Sequence, residues 1–255
     1  MSKKLKALII GFSLFFVTAC SGGTDTGTVE ETSAPVSNTS EIIALSEDVP
    51  PGLDSDGPSA SIPVTQQAIG NIMEPLVYYK DGSTNETGVG LFDFQNFEGR
   101  LAESFTYDEA TLTWTFKLRA GLEFHDGKPV TSADVVASLK RWASRDAMGG
   151  ILNTFIDRYE TPDASTFRMI LKEPSGIVID ALGKASSNVP FIMPARIAAT
   201  PGTEQIKEHI GSGPFVFKAD EFKPGSVAVY LRNSKYVSRK DATSGLAGGR
   251  PVNFE

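Results

Sequence analysis

The sequence predicts an α+β, mixed α/β fold with mixed sheets, and three observations lead there. Several segments alternate apolar and polar residues with the period of a half-buried strand, whereas only two carry apolar residues at helical spacing. The two kinds of segment follow one another irregularly and not as repeated βαβ units. Finally, 255 residues with 40% hydrophobic and 22% charged side chains describe an ordinary globular chain of one large or two small domains.

The elements follow in order. Glu41–Ser46 is a short apolar run suited to a buried strand, and a turn-rich stretch with several prolines and glycines comes after it. Ile62 to Tyr79 is expected to be helical, with Ala68, Ile69, Ile72, Met73 and Leu76 on one stripe. Pro75 should kink or end that helix and leave Leu76–Tyr79 extended. Residues 81–99 are expected to form a polar loop. Leu112, Trp114, Phe116 and Leu118 alternate with polar residues as a half-buried strand, and Phe105–Tyr107 should be its hairpin partner. Thr131 with Asp134 three residues on marks a helix start, and Val135, Val136, Leu139 and Trp142 supply that helix with a buried stripe. Further strands are expected at Thr166–Leu171, at Phe215–Lys218 and at Val227–Leu231, with apolar Val189–Met193 between prolines.

Charge and cysteine usage limit the functions. Lys plus Arg total 24 against 31 Asp plus Glu, a net charge of −7, which repels nucleic-acid phosphates. A single Cys rules out an intrachain disulfide framework and a cysteine zinc cluster. Two histidines leave little for a histidine metal site, so no metal and no cofactor is expected.

At the N-terminus, Lys3, Lys4 and Lys6 precede an apolar run from Ala7 to Ala19, too short to span a bilayer but suited to a secretory signal. The run ends Val17-Thr18-Ala19-Cys20, which resembles a bacterial lipobox in which Cys20 is lipidated. Residues 1–20 are therefore expected to be a lipoprotein signal peptide, and Ser-, Thr- and Gly-rich residues 21–40 a disordered tether. The mature protein is placed at the periplasm or cell envelope, held to a membrane by its lipid.

The stretch Leu101 to Trp142 is the most specific in the chain. Leu101-Ala102-Glu103-Ser104, Thr113-Trp114-Thr115-Phe116, Phe124-His125-Asp126-Gly127 and Asp134-Val135-Val136 stand in the order and spacing of a known pattern. So do Asn71-Ile72-Met73-Glu74-Pro75-Leu76, Ile210-Gly211-Ser212-Gly213-Pro214-Phe215, and Arg232-Asn233 with Tyr236. The pattern resembles family 5 extracellular solute-binding proteins, the receptors of oligopeptide, dipeptide and nickel ABC importers. The resemblance covers roughly residues 41–240. It implies a periplasmic-binding-protein-like lobe I over residues 41–255, with an inserted subdomain at about 80–188 and the second lobe missing. It also implies a non-enzyme: a monomer that captures a small solute, an oligopeptide before other classes, and passes it to ABC permease subunits.

Ligand-binding candidates follow from the same resemblance. Ser61, Ile62 and Pro63, with Thr65 close by, match the cleft loop before the first helix, and Met148 matches a position that faces ligand in some relatives. Other residues have structural readings. His125-Asp126-Gly127 is a tight turn, Gly211-Ser212-Gly213-Pro214 leads into a strand and not into a phosphate-binding helix, and Trp114, Phe116 and Trp142 belong to the core. Ser104 and Ser212 lie outside any Gly-x-Ser-x-Gly context. Two rival readings remain at this stage: an envelope-attached secreted hydrolase, and an adhesion or chaperone-like lipoprotein with no transport role.

Overall fold

The computed structural model describes residues 5–6, 53–56, 63–84, 90–185, 188–244 and 246–252. The expected signal peptide with Cys20, the tether, the Glu41–Ser46 strand, Ser61 and Ile62 lie outside the described residues, apart from Leu5 and Lys6. Those two residues form β1.

Helix α1 spans Pro63–Ile69, with proline at its first position, where an N–H would have no partner. It is shorter than the apolar stripe predicts. Gly70 ends it: the Gly70 N–H donates to Gln66 O, and Ile72 and Met73 then fold back onto the Ile69 carbonyl. Ile72, Met73 and Leu76 are still buried, now on a turn. Strand β2 (Val77–Thr84) pairs antiparallel with β3 (Gly90–Gly99). The expected loop over 81–99 is therefore largely a hairpin. The pairing slips at Tyr79/Lys80, and this bulge breaks the alternation that would have revealed the strand. Tyr79 and Phe97 close the pair with ring centroids 4.6 Å apart.

The expected central hairpin is present as β4 (Ala102–Asp108) and β5 (Thr113–Leu118). Helices α2 (Ser132–Ala143) and α3 (Ala147–Phe155) follow, then β6 (Ile156–Asp163) and β7 (Thr166–Leu171). The sheet order is β4-β5-β7-β6, antiparallel throughout. Its inner face is set by the alternation. Phe116 and Phe167 pair in register and stack with centroids 4.7 Å apart, both fully buried, while Lys117 and Arg168 point to water. Trp142, Leu139 and Val135 of α2 cover that face and complete the larger core. The α2 start is held by Asp134, whose Oδ2 accepts from the Thr131 N–H at 2.8 Å and from its hydroxyl at 2.6 Å.

Short helices α4 (Val178–Gly183) and α5 (Ala195–Ala198) flank the extended run 188–193. Side chains fix this run where no ladder does. The Ser138 hydroxyl donates to Met193 O and accepts from Met193 N–H, the Trp142 indole donates to Asn188 O, and Ile192 N–H donates to Glu74 O. Strands β8 (Phe215–Phe217) and β9 (Val229–Arg232) form the last expected hairpin, with β1 antiparallel on the outer edge of β9. A small hairpin, β10 (Thr243–Ser244) with β11 (Ala247–Gly248), follows. Every strand pairing among the described residues is antiparallel, so the mixed sheets expected from the sequence are replaced by four antiparallel ones. A second core, with Leu53, Ile69, Met73, Phe191 and Tyr230 in it, joins α1 to the 188–193 run and to β8–β9.

Candidate binding cavity

The second core opens on one side into a cavity of about 380 Å³. Gln66 and Gly70 of α1 form one wall, and Val189 and Phe191 of the extended run form another. Tyr78 of β2, Arg100 after β3, Leu246 and Arg250 close it. Five separate stretches of chain thus converge, and their positions are fixed by buried polar contacts. Gln66 donates to Ser55 O at 3.2 Å and accepts from Val189 N–H at 3.0 Å, tying both walls to the 53–56 segment.

The two guanidinium groups differ. Arg100 is buried; it donates to the carbonyls of Leu246 and Gly248, lies over the Tyr78 ring at 5.7 Å, and its Nε stands 3.7 Å from Glu74. Glu74 is itself buried and accepts from the Tyr236 hydroxyl at 2.8 Å. Arg100 therefore has a counter-charge behind the cavity wall. Arg250 is half-buried and donates to Gly70 O at 2.7 Å and to Asn71 Oδ1 at 3.3 Å, both uncharged. Burial pushes the Tyr78 phenol up to about 12, so it stays protonated and able to donate.

On the 53–56 segment that Gln66 holds, Asp54 pairs with Arg141 at 2.8 Å with both side chains buried, and Asp54 also accepts from Ile206 N–H. Asp56 lies 3.8 Å from the same guanidinium and its carboxyl oxygens have no hydrogen-bond partner. At that distance the Arg141 charge does not offset burial and the repulsion of Asp54, so the Asp56 carboxyl is raised to about 8 and is protonated at neutral pH.

The expected site residues divide. Pro63 begins α1, three positions before Gln66. Thr65, also on α1, is fully buried, and its hydroxyl has no hydrogen-bond partner. Met148 sits on α3, half-buried against the larger core, and is not among the described residues lining the cavity. Tyr78, Arg100, Phe191 and Arg250 were not singled out from the sequence. A lone arginine reads as a solvated side chain, and nothing local announces that Glu74, far away in sequence, buries one of them.

The 125–127 turn and the 211–214 lead-in into β8 are as expected. His125 Nδ1 accepts from Gly211 N–H at 3.3 Å, which leaves Nε2 to donate to Gly213 O at 3.0 Å; the His125 backbone N–H donates to Gly211 O. The ring thus staples the 125–127 turn to the lead-in of β8. A Cβ on Gly213 would meet the Ile72 carbonyl at 2.7 Å, so the glycines there serve close backbone packing. His209 packs edge-on against Phe217. Among the described residues no group of three His, Cys, Asp or Glu could hold a metal ion, and no helix is long and apolar enough to cross a membrane.

Comparison with known proteins places this architecture. The model of bacterial extracellular solute-binding proteins, family 5, middle region, matches residues 96–254, more than half of the chain. The chain belongs to that family. A Sinorhizobium fredii relative named "probable peptide ABC transporter periplasmic-binding protein" is 47% identical over 140 residues, 55% of this chain and 26% of its own length. The solved binding protein MoaA of A. tumefaciens, in complex with mannopinic acid, is 30% identical with a TM-score of 0.57, over 75% of this chain and 36% of that one. An oligopeptide ABC transporter substrate-binding domain of Bacillus anthracis shares the fold at 18% identity and a TM-score of 0.56, over 75% of this chain and 37% of that one. The matched stretches thus span about a quarter to two fifths of these relatives.

Proposed function

We propose that this chain is the solute-capturing part of a peptide ABC importer receptor, lipid-anchored at Cys20, and that the cavity between α1 and the 188–193 run contributes one wall of its binding cleft. The observation that carries the reading is that five stretches of a family 5 chain converge on one cavity with apolar walls and a few oriented polar groups, the usual make-up of a small-ligand site. Pro63 and Thr65 lie on the helix that brings Gln66 and Gly70 to that wall, and Ser61 and Ile62 precede it.

The proposed mechanism starts from the cavity lining. Tyr78, Phe191 and Leu246 exclude water and offer a side-chain surface, while polar groups fix orientation. No bond is made or broken. Solute shifts the receptor toward a closed population by binding that state more tightly, and the closed form docks on the permease. The similarity to the S. fredii peptide transporter protein favours peptides as cargo. The similarity to the mannopinic acid receptor supports a second reading, a non-peptide acid of the opine type.

The test is a thermal-shift screen of the full chain against di- to pentapeptides and mannopinic acid. Stabilisation by peptides supports the first reading. Stabilisation by mannopinic acid alone replaces it with the second, and a flat response to both removes the capture role.

A further inference from the structure

We infer that Arg250 is an anion anchor in the cavity and that the solute carries a carboxylate at the end seated there. The inference deepens the proposed function and rests on its reading of the cavity as the solute site.

Charge accounting within the cavity supports it. The described lining residues include two guanidinium groups and no carboxylate. Arg100 is matched by buried Glu74, and both of its terminal nitrogens are committed to the Leu246 and Gly248 carbonyls. Arg250 lies within ion-pair distance of no carboxylate among the described residues; two neutral oxygens hold it in place. A half-buried guanidinium with spare N–H groups and no counter-ion is matched by an anion, and the planar fork suits a carboxylate bidentately. The protonated Tyr78 phenol lines the same cavity and can donate to that anion. Gln66 cannot take that role, because its amide is engaged at both ends by Ser55 and Val189. Phe191, Val189 and Leu246 leave an apolar surface for the adjoining part of the solute.

The experiment uses the full chain as wild type, Arg250→Gln and Arg250→Lys, with ligand-free melting temperatures recorded for each. Pools of di- to pentapeptides as free acids, the same pools as C-terminal amides, a panel of non-peptide monocarboxylic acids, and inorganic phosphate are screened by thermal shift, and hits are titrated calorimetrically. Free acids are expected to bind the wild type about ten- to a hundredfold tighter than their amides, the strength of charge-assisted hydrogen bonds. In Arg250→Gln that ratio should fall towards one, with Arg250→Lys retaining part of it. A variant that merely loosened the fold would weaken acid and amide alike, so the ratio isolates the anchoring role. Equal binding of acid and amide by the wild type overturns the inference. So does an unchanged ratio in Arg250→Gln, binding of phosphate in place of any carboxylate, or no carboxylate bound at all. If only the non-peptide acids bind, and Arg250→Gln abolishes that binding, the anchor stands and the peptide assignment falls.

Discussion

Arg141 donates to Asp54 across 2.8 Å in a fully buried pair, joining the middle of the chain to the segment that leads into the first helix. The guanidinium also donates to the Thr200 and Glu204 carbonyls, so one side chain gathers α2, the 53–56 segment and the loop after α5. Removing it would leave the buried Asp54 carboxylate without its cation. Arg141→Ala should therefore cost about 3–5 kcal/mol, the usual penalty for breaking one side of a buried pair. Urea unfolding midpoints of the variant against wild type measure this, and a loss below about 1 kcal/mol would show that the pair does not organise the loop.

Asp56 next to that pair makes a pH prediction. Its carboxyl is raised to about 8 from 3.8, so the stability it contributes is complete below the lower value and is lost as pH rises through the upper one. Asn at this position cannot ionise. Asp56→Asn should gain stability relative to wild type progressively between pH 4 and 8, then level off. Melting temperatures across that range for both proteins check the slope, and a constant difference would contradict the assignment.

His125 acts in the opposite direction. Burial lowers its pKa, and its neutral ring is needed to accept from Gly211 N–H. The depressed value means that stability is complete above about 6.5, the unfolded-state value, and declines as pH falls below it. In nitrogen-resolved NMR the ring should titrate below the unfolded-state value, and His125→Ala should remove this part of the acid-side loss.

Gly213→Ala places a methyl carbon 2.7 Å from the Ile72 carbonyl, with no flexible side chain to give way. A loss of about 1–3 kcal/mol is expected, as for other overpacked sites. Calorimetric unfolding would show it, and a neutral outcome would mean that β8 can shift away from the Ile72 turn.

Cys20 carries the proposed anchor. Cys20→Ser should move the protein from the membrane fraction to the soluble fraction and abolish labelling by radioactive palmitate. Unchanged fractionation would leave membrane attachment to some other feature.

What the sequence made legible was local. Phe116, Phe167, Met169 and Leu171 announce their strands because alternate residues face one core, and Thr131 with Asp134 announces α2 through a contact spanning three residues. The β2–β3 hairpin was missed because its pairing slips twice, which breaks the alternation. Gly70 cut α1 short because a glycine outweighed an apolar stripe that the following turn still buries. The cavity was the least legible feature. Its walls run from Gln66 to Arg250, and whether an arginine there is a solvated side chain or an anion site depends on partners such as Glu74 that only the tertiary fold assembles.

The central claim, that this cavity receives the solute, is tested most directly by an NMR titration of the isotope-labelled full chain with the peptide or acid that gives the largest thermal shift. Backbone signals of Gln66, Gly70, Tyr78, Val189, Phe191 and Arg250 should move together along one saturating curve, while the outer face of the β4-β5-β7-β6 sheet stays still. Saturable shifts confined to that outer sheet face, or to the α3 surface around Met148, would place the site elsewhere and contradict the account.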